Sequence, residues 1–182
     1  MRTPLFFCLS LLVALTTAAH AEDGGIKFRV HTINADSTYS AAAVFDVNRD
    51  GKLDIVSGGW WYEAPKWKRH FLRDVEEIRG RFDDYSNLPI DVNGDGWTDL
   101  VSANYRSSKL YWIEHPGEKL GRWTTHEVAM PGPMETARLV DVDGDGRLDV
   151  LPNGVRFAAW WEIGAKSGKW TRHGLPKEVA GH

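Results

Sequence analysis

The chain has 182 residues, with 22 lysine and arginine residues against 25 aspartate and glutamate residues, and its formal net charge is −3. A hydrophobic content of 42% is enough for a folded core, and no low-complexity tract divides the chain. Because this charge offers no basic surface of the kind that binds nucleic acid, nucleic-acid partners are not predicted.

Residues 1–21 have the pattern of a cleaved secretory signal. Arg2 gives a positive start, an apolar run extends from Leu5 to Leu15, and Ala19-His20-Ala21 ends the segment. The run is shorter than the roughly 20 apolar residues that span a membrane, so no membrane span is expected after cleavage. We expect residues 22–182 to form the mature domain, which is secreted, periplasmic or at the cell surface. The only cysteine of the chain lies in the signal, so the mature chain has no disulfide.

Three nine-residue segments share one pattern of oxygen-bearing side chains: loop 1 (46–54), loop 2 (91–99) and loop 3 (141–149). Positions 1, 3, 5 and 9 carry Asp or Asn, and position 6 is always Gly. Ca²⁺ takes about 6–8 oxygen ligands, and glycine permits the sharp turn that gathers them. Ten of the chain's 25 acidic residues lie in these segments, a density that repels itself unless a cation separates the carboxylates.

The pattern predicts about three structural Ca²⁺ ions, each held by four side chains and by the backbone carbonyl of position 7. The predicted ligands are Asp46, Asn48, Asp50, Lys52 and Asp54 in loop 1; Asp91, Asn93, Asp95, Trp97 and Asp99 in loop 2; and Asp141, Asp143, Asp145, Arg147 and Asp149 in loop 3. Replacing Asp95 and Asp99 with alanine is predicted to lower the melting temperature in calcium, with little effect in chelator.

These segments differ from the loops of EF-hand proteins. An EF-hand loop has about 12 residues, ends in Glu and lies between helices, whereas position 12 here is Ser57, Ser102 or Pro152. The flanking residues are short runs of β-branched and aromatic residues, which favour strands. The alternative that stays open is an ordinary hairpin turn, since Asp-Gly and Asn-Gly are common turn formers.

The segments between the loops repeat as well. The loops begin 45 and 50 residues apart, a period typical of propeller blades. Each period contains adjacent aromatic residues with a nearby Glu, and then an aromatic residue three positions before a His. The first set is Trp60-Trp61-Tyr62-Glu63, Tyr111-Trp112-Ile113-Glu114 and Trp160-Trp161-Glu162; the second is Trp67–His70, Trp123–His126 and Trp170–His173, with Phe28–His31 ahead of loop 1.

The order strand, loop, strand, aromatic strand, turn, strand predicts an all-β fold. Four short antiparallel strands per period are the blade of a β-propeller, and about three blades are present, as a partial propeller. Another repeat-built all-β fold is the second choice. The first period is short between Asp54 and Trp60, so its second and third strands are expected to be merged or mispaired. Each repeated His is expected to have a structural role, such as a bond to a neighbouring blade's backbone, and not to be a zinc ligand or general base; each repeated Glu is expected to be a strand-edge or interblade partner.

Loops of the form D-x-[ND]-x-D-G-x-x-D between strands at this spacing resemble the FG-GAP or VCBS repeats of calcium-binding propellers, including those of integrin α-subunit heads. The resemblance covers about residues 26–182. It implies that the side chains at positions 1, 3, 5 and 9 of the three loops hold Ca²⁺. It does not specify an activity.

Three functions fit this resemblance. The first and favoured one is an extracellular binding or adhesion module for a protein or polysaccharide. The second is a carbohydrate-active enzyme, because similar propellers occur in rhamnogalacturonan-type lyases and aldos-2-ulose dehydratase-like proteins. The third is a structural scaffold or a fragment of a larger propeller protein.

The stretch from Arg73 to Ile90 is the one feature that favours an enzyme. Its Arg81, Asp83, Asp84 and Tyr85 could hold a sugar acid and move a proton. The alternative is a charged surface loop whose groups pair with one another or with water. If these residues act in catalysis, replacing Arg81 and Asp84 with alanine changes stability by less than about 0.5 kcal/mol and abolishes any sugar turnover, whereas a large drop in stability would indicate a structural loop.

The spacing of the repeats also forecasts a further calcium loop beyond the last residue of the chain. From His126 to Asp141 the chain advances 15 residues, and nine residues follow His173. Since closed propellers have about 4–8 blades, three blades cannot close a ring alone. The expectations are a fragment of a longer product, self-association through open blade edges, or an open arc.

Overall fold

The computed structural model describes residues 26–164 and 169–175, and the predicted signal at residues 1–21 lies outside this part of the chain. Residues 26–32 belong to a first compact unit and contain no strand or helix. The strand expected around Phe28–His31 is therefore not formed, and the Phe28 side chain is exposed. A second unit begins at Ile33 and holds all the strands described here. Within these described residues, no helix has the length and apolar character needed to cross a membrane.

The second unit consists mainly of three four-stranded antiparallel sheets, which we call blades. Blade 1 contains β1 (Ala42–Phe45), β2 (Asp54–Ser57), β3 (Trp60–Glu63) and β4 (Lys68–Phe71); blade 2 contains β7 (Leu88–Ile90), β8 (Asp99–Ala103), β9 (Leu110–Glu114) and β10 (Thr124–Ala129); blade 3 contains β11 (Met134–Val140), β12 (Asp149–Gly154), β13 (Ala159–Ile163) and β14 (Trp170–Gly174). Between blades 1 and 2, β5 (Glu77–Ile78) and β6 (Arg81–Phe82) form a two-stranded hairpin.

In every blade each strand pairs with the next one along the chain, as in a propeller blade. The first strands of the blades lie next to one another, since β1 contacts β7 and β7 contacts β11. A short 3₁₀ turn, Gly117–Lys119, connects β9 to β10. The prediction of an all-β, partial propeller with about three blades is confirmed.

The expectation that the second and third strands of the first period are merged is wrong. Ser57 pairs with Trp60, so β2 and β3 form a regular hairpin with only Gly58 and Gly59 between them. Gly58 has a φ of 59°, a conformation that glycine adopts without strain. A Cβ atom at Gly58 would collide with the Tyr39 ring. The two glycines therefore shorten this connection without removing a strand.

Two apolar layers hold the blades together. Between blades 1 and 2, Val56 and Trp61 belong to one buried cluster with Leu100 and Ile113. Between blades 2 and 3, the buried cluster is centred on Val101, Trp112, Val150 and Trp161. Neighbouring residues on a strand face opposite sides of the sheet, so each blade supplies side chains to both of its faces.

The blades differ in how many polar contacts join them. Blades 1 and 2 are connected by the bond from the Trp123 amide to the Leu72 carbonyl, at 2.9 Å, and by several side-chain bonds described below. Blades 2 and 3 share one hydrogen bond among the described residues, from the Met134 amide to the Asn104 carbonyl at 3.2 Å. The attachment of blade 3 is therefore mainly apolar.

Candidate metal centre

Each candidate loop connects the first strand of its blade to the second. Position 1 follows the first strand directly, and position 9 opens the second strand. The backbone turns sharply at positions 4 and 6, where φ is positive. These residues are Arg49 (59°), Gly51 (84°), Gly94 (76°), Gly96 (87°), Gly144 (82°) and Gly146 (87°). Glycine has no Cβ to clash in this conformation, so Arg49 is the one strained member of the set.

Backbone amides hold the side chains of positions 1, 3 and 5 against their own loop. In loop 2 the Gly96 amide donates to Asp91 at 2.8 Å, and the Asp95 amide donates to Asn93 Oδ1 at 2.9 Å. The Trp97 amide donates to Asp95 Oδ1 at 2.8 Å. Loops 1 and 3 repeat all three bonds at 2.8–3.1 Å. The pattern of polar side chains therefore produces the same local geometry three times.

The position 9 carboxylates of Asp54, Asp99 and Asp149 lie at the base of the loops and are at most 2% exposed. Asp99 accepts the amides of Val92 at 2.9 Å and of His115 at 2.8 Å. Burial, with the other loop acids adding to it, raises the pKa of all three carboxyls, and that of Asp99 to about 6. Among the described residues, no basic side chain forms an ion pair with these three carboxylates. An ionised carboxylate that is buried in this way is unstable unless a cation lies beside it.

Loop 3 shows how close the oxygen atoms come. One carboxylate oxygen each from Asp141, Asp143 and Asp149 lie within 4.8 Å of one another. In loops 1 and 2 the third position is Asn48 or Asn93, whose side-chain oxygen takes the same place in the hydrogen-bond pattern. Carboxylate, amide and carbonyl oxygens are hard ligands that suit Ca²⁺, so the residues present fit this ion.

The comparison with known protein families finds a match over a part of the chain that contains two of the three loops. Residues 91–151 match the FG-GAP-like repeat. The matched segment begins at the first residue of loop 2 and ends inside β12, so it contains loops 2 and 3 and the strands between them. Loop 1 lies outside the match and has the same hydrogen-bond pattern. Among curated proteins, none matches the chain.

Position 7 distinguishes the three loops from one another. In loop 1 the Lys52 ammonium lies 2.7 Å from Asp50, and in loop 3 the Arg147 guanidinium lies 2.6 Å from Asp145. These cations lower the pKa of the two carboxyls through direct hydrogen bonds. In loop 2 position 7 is Trp97, which brings no charge. A metal ion in loop 2 would therefore meet no competing cation from its own loop.

This difference predicts that loop 2 binds calcium most tightly. Exchanging the residues at position 7, with Trp97→Arg in one variant and Arg147→Trp in another, is expected to weaken loop 2 and strengthen loop 3. Because both sites are exposed and screened by solvent, we expect changes of about two- to five-fold. Calorimetric titration with Ca²⁺ measures both affinities. Unchanged or oppositely shifted affinities would show that the position 7 charge does not set the order.

Each loop also contacts a Glu-His-Trp group in its own blade. The Glu63 carboxylate is hydrogen-bonded to His70 Nε2 at 2.7 Å, and the His70 ring stacks on Trp61 at 4.2 Å. Asn48 of loop 1 donates to the other oxygen of Glu63 at 3.4 Å. The equivalent groups are Glu114, His126 and Trp112 with Asn93, and Glu162, His173 and Trp160 with Arg147.

The repeated histidines thus have the same partners in every blade, but these are a Glu and a Trp of their own blade and not the backbone of a neighbouring blade, which was the bond suggested from the sequence. Each His lies directly opposite the stacking Trp of the preceding strand, which places it beside the Glu two residues after that Trp. In blade 3 the stacking residue is Trp160, so Trp160 corresponds to Trp61 and Trp112. The spacing of two residues between Trp and Glu was the signal that could have identified this group.

The four residues considered for catalysis do not come together. Arg81 is exposed in β6, whereas Asp84 is fully buried. Asp83 is 3% exposed, and its Oδ1 accepts the amides of Arg106 and Ser107. The half-buried Tyr85 accepts a 3.4 Å bond from Arg106 through its hydroxyl. The alternative of a charged surface loop is wrong about exposure, because both aspartates are buried. Its expectation that acids and arginines of this stretch pair with one another is met by Asp84, which forms an ion pair with Arg73.

Arg73 is the residue in this region that sequence reasoning missed. It is 3% exposed and forms a 2.9 Å ion pair with Asp84. Its other guanidinium nitrogens donate to the Tyr111 hydroxyl at 2.6 Å and to the Gly58 carbonyl at 3.3 Å. Since Tyr111 belongs to blade 2, Arg73 connects two blades. The only signal was a single basic residue after the apolar pair Phe71-Leu72.

Two neighbouring cavities, of about 280 and 270 Å³, lie between the outer parts of blades 1 and 2. They share Arg73, Asp74 and Thr125, so they form one groove. The first also contains Glu76, Asp83, Ser107, Lys109, Tyr111 and Glu127. The second contains Trp123, whose buried indole N–H has no hydrogen-bond partner among the described residues. The groove therefore offers both donors and acceptors.

Proposed function

We propose that the protein is a secreted binding module built from FG-GAP-like repeats, with one structural Ca²⁺ in each of the three loops. The observation that carries this proposal is the buried position 9 carboxylate at the base of each loop, with a raised pKa and no ion-pair partner among the described residues. Calcium would neutralise this charge and the charges around it. Repeats of this family are often used in binding or adhesion, which supports the general function.

Calcium would also contribute to the stability of a chain without disulfides. With a Kd of about 10⁻⁴ M, as in extracellular modules, about 1 mM Ca²⁺ stabilises the folded state by roughly 1.4 kcal/mol per site. Three sites supply about 4 kcal/mol, a large part of the roughly 5–15 kcal/mol that keeps a domain folded. The metal is therefore proposed as structural, and its loss would loosen the binding surface.

The groove between blades 1 and 2 favours a polysaccharide ligand. A sugar chain presents many hydroxyl groups that donate and accept, and the groove contains Thr125, Ser107 and Lys109 beside several carboxylates. Each cavity is slightly smaller than the lower end of the roughly 300–1,000 Å³ range of small-molecule pockets, and the two adjoin, which suits a chain lying along the groove. An enzymatic function has less support, since Asp84 is used in a buried ion pair.

The test uses a variant that removes charge but retains the hydrogen-bond acceptors of one loop. Asp91→Asn with Asp95→Asn is expected to melt like the wild type in chelator and to lose at least about one third of the calcium-induced stabilisation, because loop 2 is predicted to be the tightest site. Calorimetry is expected to give three Ca²⁺ per chain for the wild type and two for the variant. Equal stoichiometry in both proteins would contradict the metal assignment.

The ligand is tested separately, by electrophoresis in gels that contain neutral or acidic polysaccharides, with calcium or with chelator. Retardation that requires calcium supports the binding module, and Thr125→Arg is expected to abolish it by filling the groove. An exposed position outside the groove, Arg156→Ala, serves as the control. Calcium binding without retardation in any gel would leave the metal in place and overturn the polysaccharide ligand.

A further inference from the structure

Loops 1 and 2 contact each other through two side chains, although their first residues are 45 positions apart. One is Arg49, at position 4 of loop 1. The other is His115, which follows β9 and lies under loop 2. Both side chains reach groups that directly adjoin predicted calcium ligands.

Arg49 extends from loop 1 onto loop 2. Its guanidinium lies 3.8 Å from the centre of the Trp97 ring and donates a hydrogen bond to the Gly96 carbonyl. These contacts lie next to the Trp97 carbonyl, which is a predicted ligand. The equivalent positions in the other loops are Gly94 and Gly144, so only loop 1 has a side chain here. The strained backbone of Arg49 is consistent with a contact that outweighs the preference for glycine.

His115 joins the loops from below and is 2% exposed. Its amide donates to Asp99 Oδ1 at 2.8 Å, and its ring stacks on Trp97 at 4.6 Å. Its Nδ1 accepts the Gly117 amide at 2.9 Å, so the ring proton lies on Nε2, which donates to the Val47 carbonyl of loop 1 at 3.0 Å. One residue therefore holds both the base of loop 2 and the second residue of loop 1.

Loop 3 has no such connection among the described residues. Its long side chain, Arg147, turns back onto Asp145 of the same loop and onto Glu162 of the same blade. No hydrogen bond or ion pair joins loop 3 to either loop 1 or loop 2 in the described part of the chain. Loop 3 thus provides an internal reference for a loop that acts alone.

We propose that loops 1 and 2 bind Ca²⁺ as a cooperative pair, with Arg49 and His115 as positioning residues, and that loop 3 binds independently. The inference rests on the proposed function, because it requires calcium in the loops. An ion in loop 1 would fix the backbone at Arg49 and with it the guanidinium that orients the Gly96–Trp97 peptide. Part of the conformational entropy that loop 2 loses on binding would then already be lost, so loop 2 would bind its ion more tightly without a large structural change.

The test compares single loops with pairs of loops in the full chain. Loops are disabled with paired Asp→Asn changes at positions 1 and 5: Asp46 and Asp50, Asp91 and Asp95, or Asp141 and Asp145. Calorimetry with Ca²⁺ then gives the affinity of each loop alone and of each pair. When loops 1 and 2 are both functional, the product of their two stepwise binding constants is expected to be at least about five-fold larger than the product of the constants measured for loop 1 alone and loop 2 alone. For loops 2 and 3 the two products are expected to agree.

Arg49→Gly is the decisive variant, since it copies the residue of loops 2 and 3 and removes backbone strain. It is expected to retain binding in loop 1 and to reduce the excess for loops 1 and 2, leaving only the part that His115 contributes. Arg156→Ala, which removes an equal charge from an exposed site, is expected to leave the excess unchanged. Equal products in the wild type would overturn the coupling while calcium binding remains, and an undiminished excess in Arg49→Gly would overturn the role of Arg49. No calcium binding in any protein would overturn the proposed function as well.

Discussion

Replacing Asp84 with alanine is expected to destabilise the protein by about 3–5 kcal/mol, the usual cost of breaking a buried ion pair. Asp84 has no exposed surface, and its partner Arg73 is 3% exposed. The change would leave the guanidinium charge without its counterion in a place that water does not reach. It would also remove the acceptor of the Gly58 amide, which lies in the tight hairpin of blade 1.

A control with the same chemistry lies one residue from Arg73. Asp74 forms a 2.5 Å ion pair with Arg122, but both side chains are more than 60% exposed. Asp74→Ala is therefore expected to change stability by less than about 1 kcal/mol. Urea unfolding of the two variants measures the difference. A third variant with Arg73→Leu and Asp84→Leu removes both charges and is expected to be more stable than Asp84→Ala. Similar losses for Asp74→Ala and Asp84→Ala would show that the buried pair is not a structural centre.

We expect a second large effect in the pH dependence of the free energy of unfolding, which should have opposite signs without and with calcium. In the calcium-free protein, burial raises the pKa of Asp99 to about 6, from 3.8 in an unperturbed side chain. The folded state then holds this proton more tightly than the unfolded state. The stabilisation is fully present below about pH 4 and is lost as the pH rises through about 6, and for Asp99 it amounts to roughly 3 kcal/mol.

In chelator, the wild type is therefore expected to gain stability relative to Asp99→Asn as the pH falls from 7 to 4. In calcium this trend is expected to reverse, because a bound ion would require the ionised carboxylate and acid would release it. His115 opposes the first trend, since burial lowers its pKa and protonation costs stability as the pH falls below about 6.5. Comparison with Asp99→Asn removes this contribution, because both proteins contain His115. Parallel stability curves in chelator would contradict the assignment.

The burial of Asp99 also corrects an expectation drawn from the sequence. The loop pattern alone predicts that replacing Asp95 and Asp99 together has little effect in chelator. Asp99 accepts two backbone amides inside the protein, so its loss is expected to destabilise the chain with or without calcium. Of these two residues, only the exposed Asp95 can report on the metal without this additional cost.

The repeated part of the structure could be predicted from the sequence because its determinants are local. Oxygen side chains at fixed spacing, with glycine at position 6, specify the loops, and short β-branched runs beside them specify the strands. The blade order follows from the period. These features require only interactions within one hairpin or one blade.

The contacts between blades could not be predicted, because they join residues far apart in the chain. Arg73 meets Tyr111 across 38 positions, and Arg49 meets Gly96 across 47. Arg49 stands at a loop position that is glycine in the other two loops, and Arg73 lies outside the repeated motifs, so the repeat gave no information about the partner of either arginine. The same limit explains why Asp83 and Asp84 resembled surface charges: their burial depends on chain segments that fold against them.

The unequal contacts between the blades have a consequence for how the protein responds to cold. Polar bonds that involve Arg73, Trp123 and His115 join blades 1 and 2, whereas blade 3 adheres chiefly through the apolar cluster around Trp112 and Trp161. Hydrophobic attraction weakens on cooling, and hydrogen bonds do not share this dependence. Blade 3 is therefore the part of the arc that opens most readily near freezing, while blades 1 and 2 remain together.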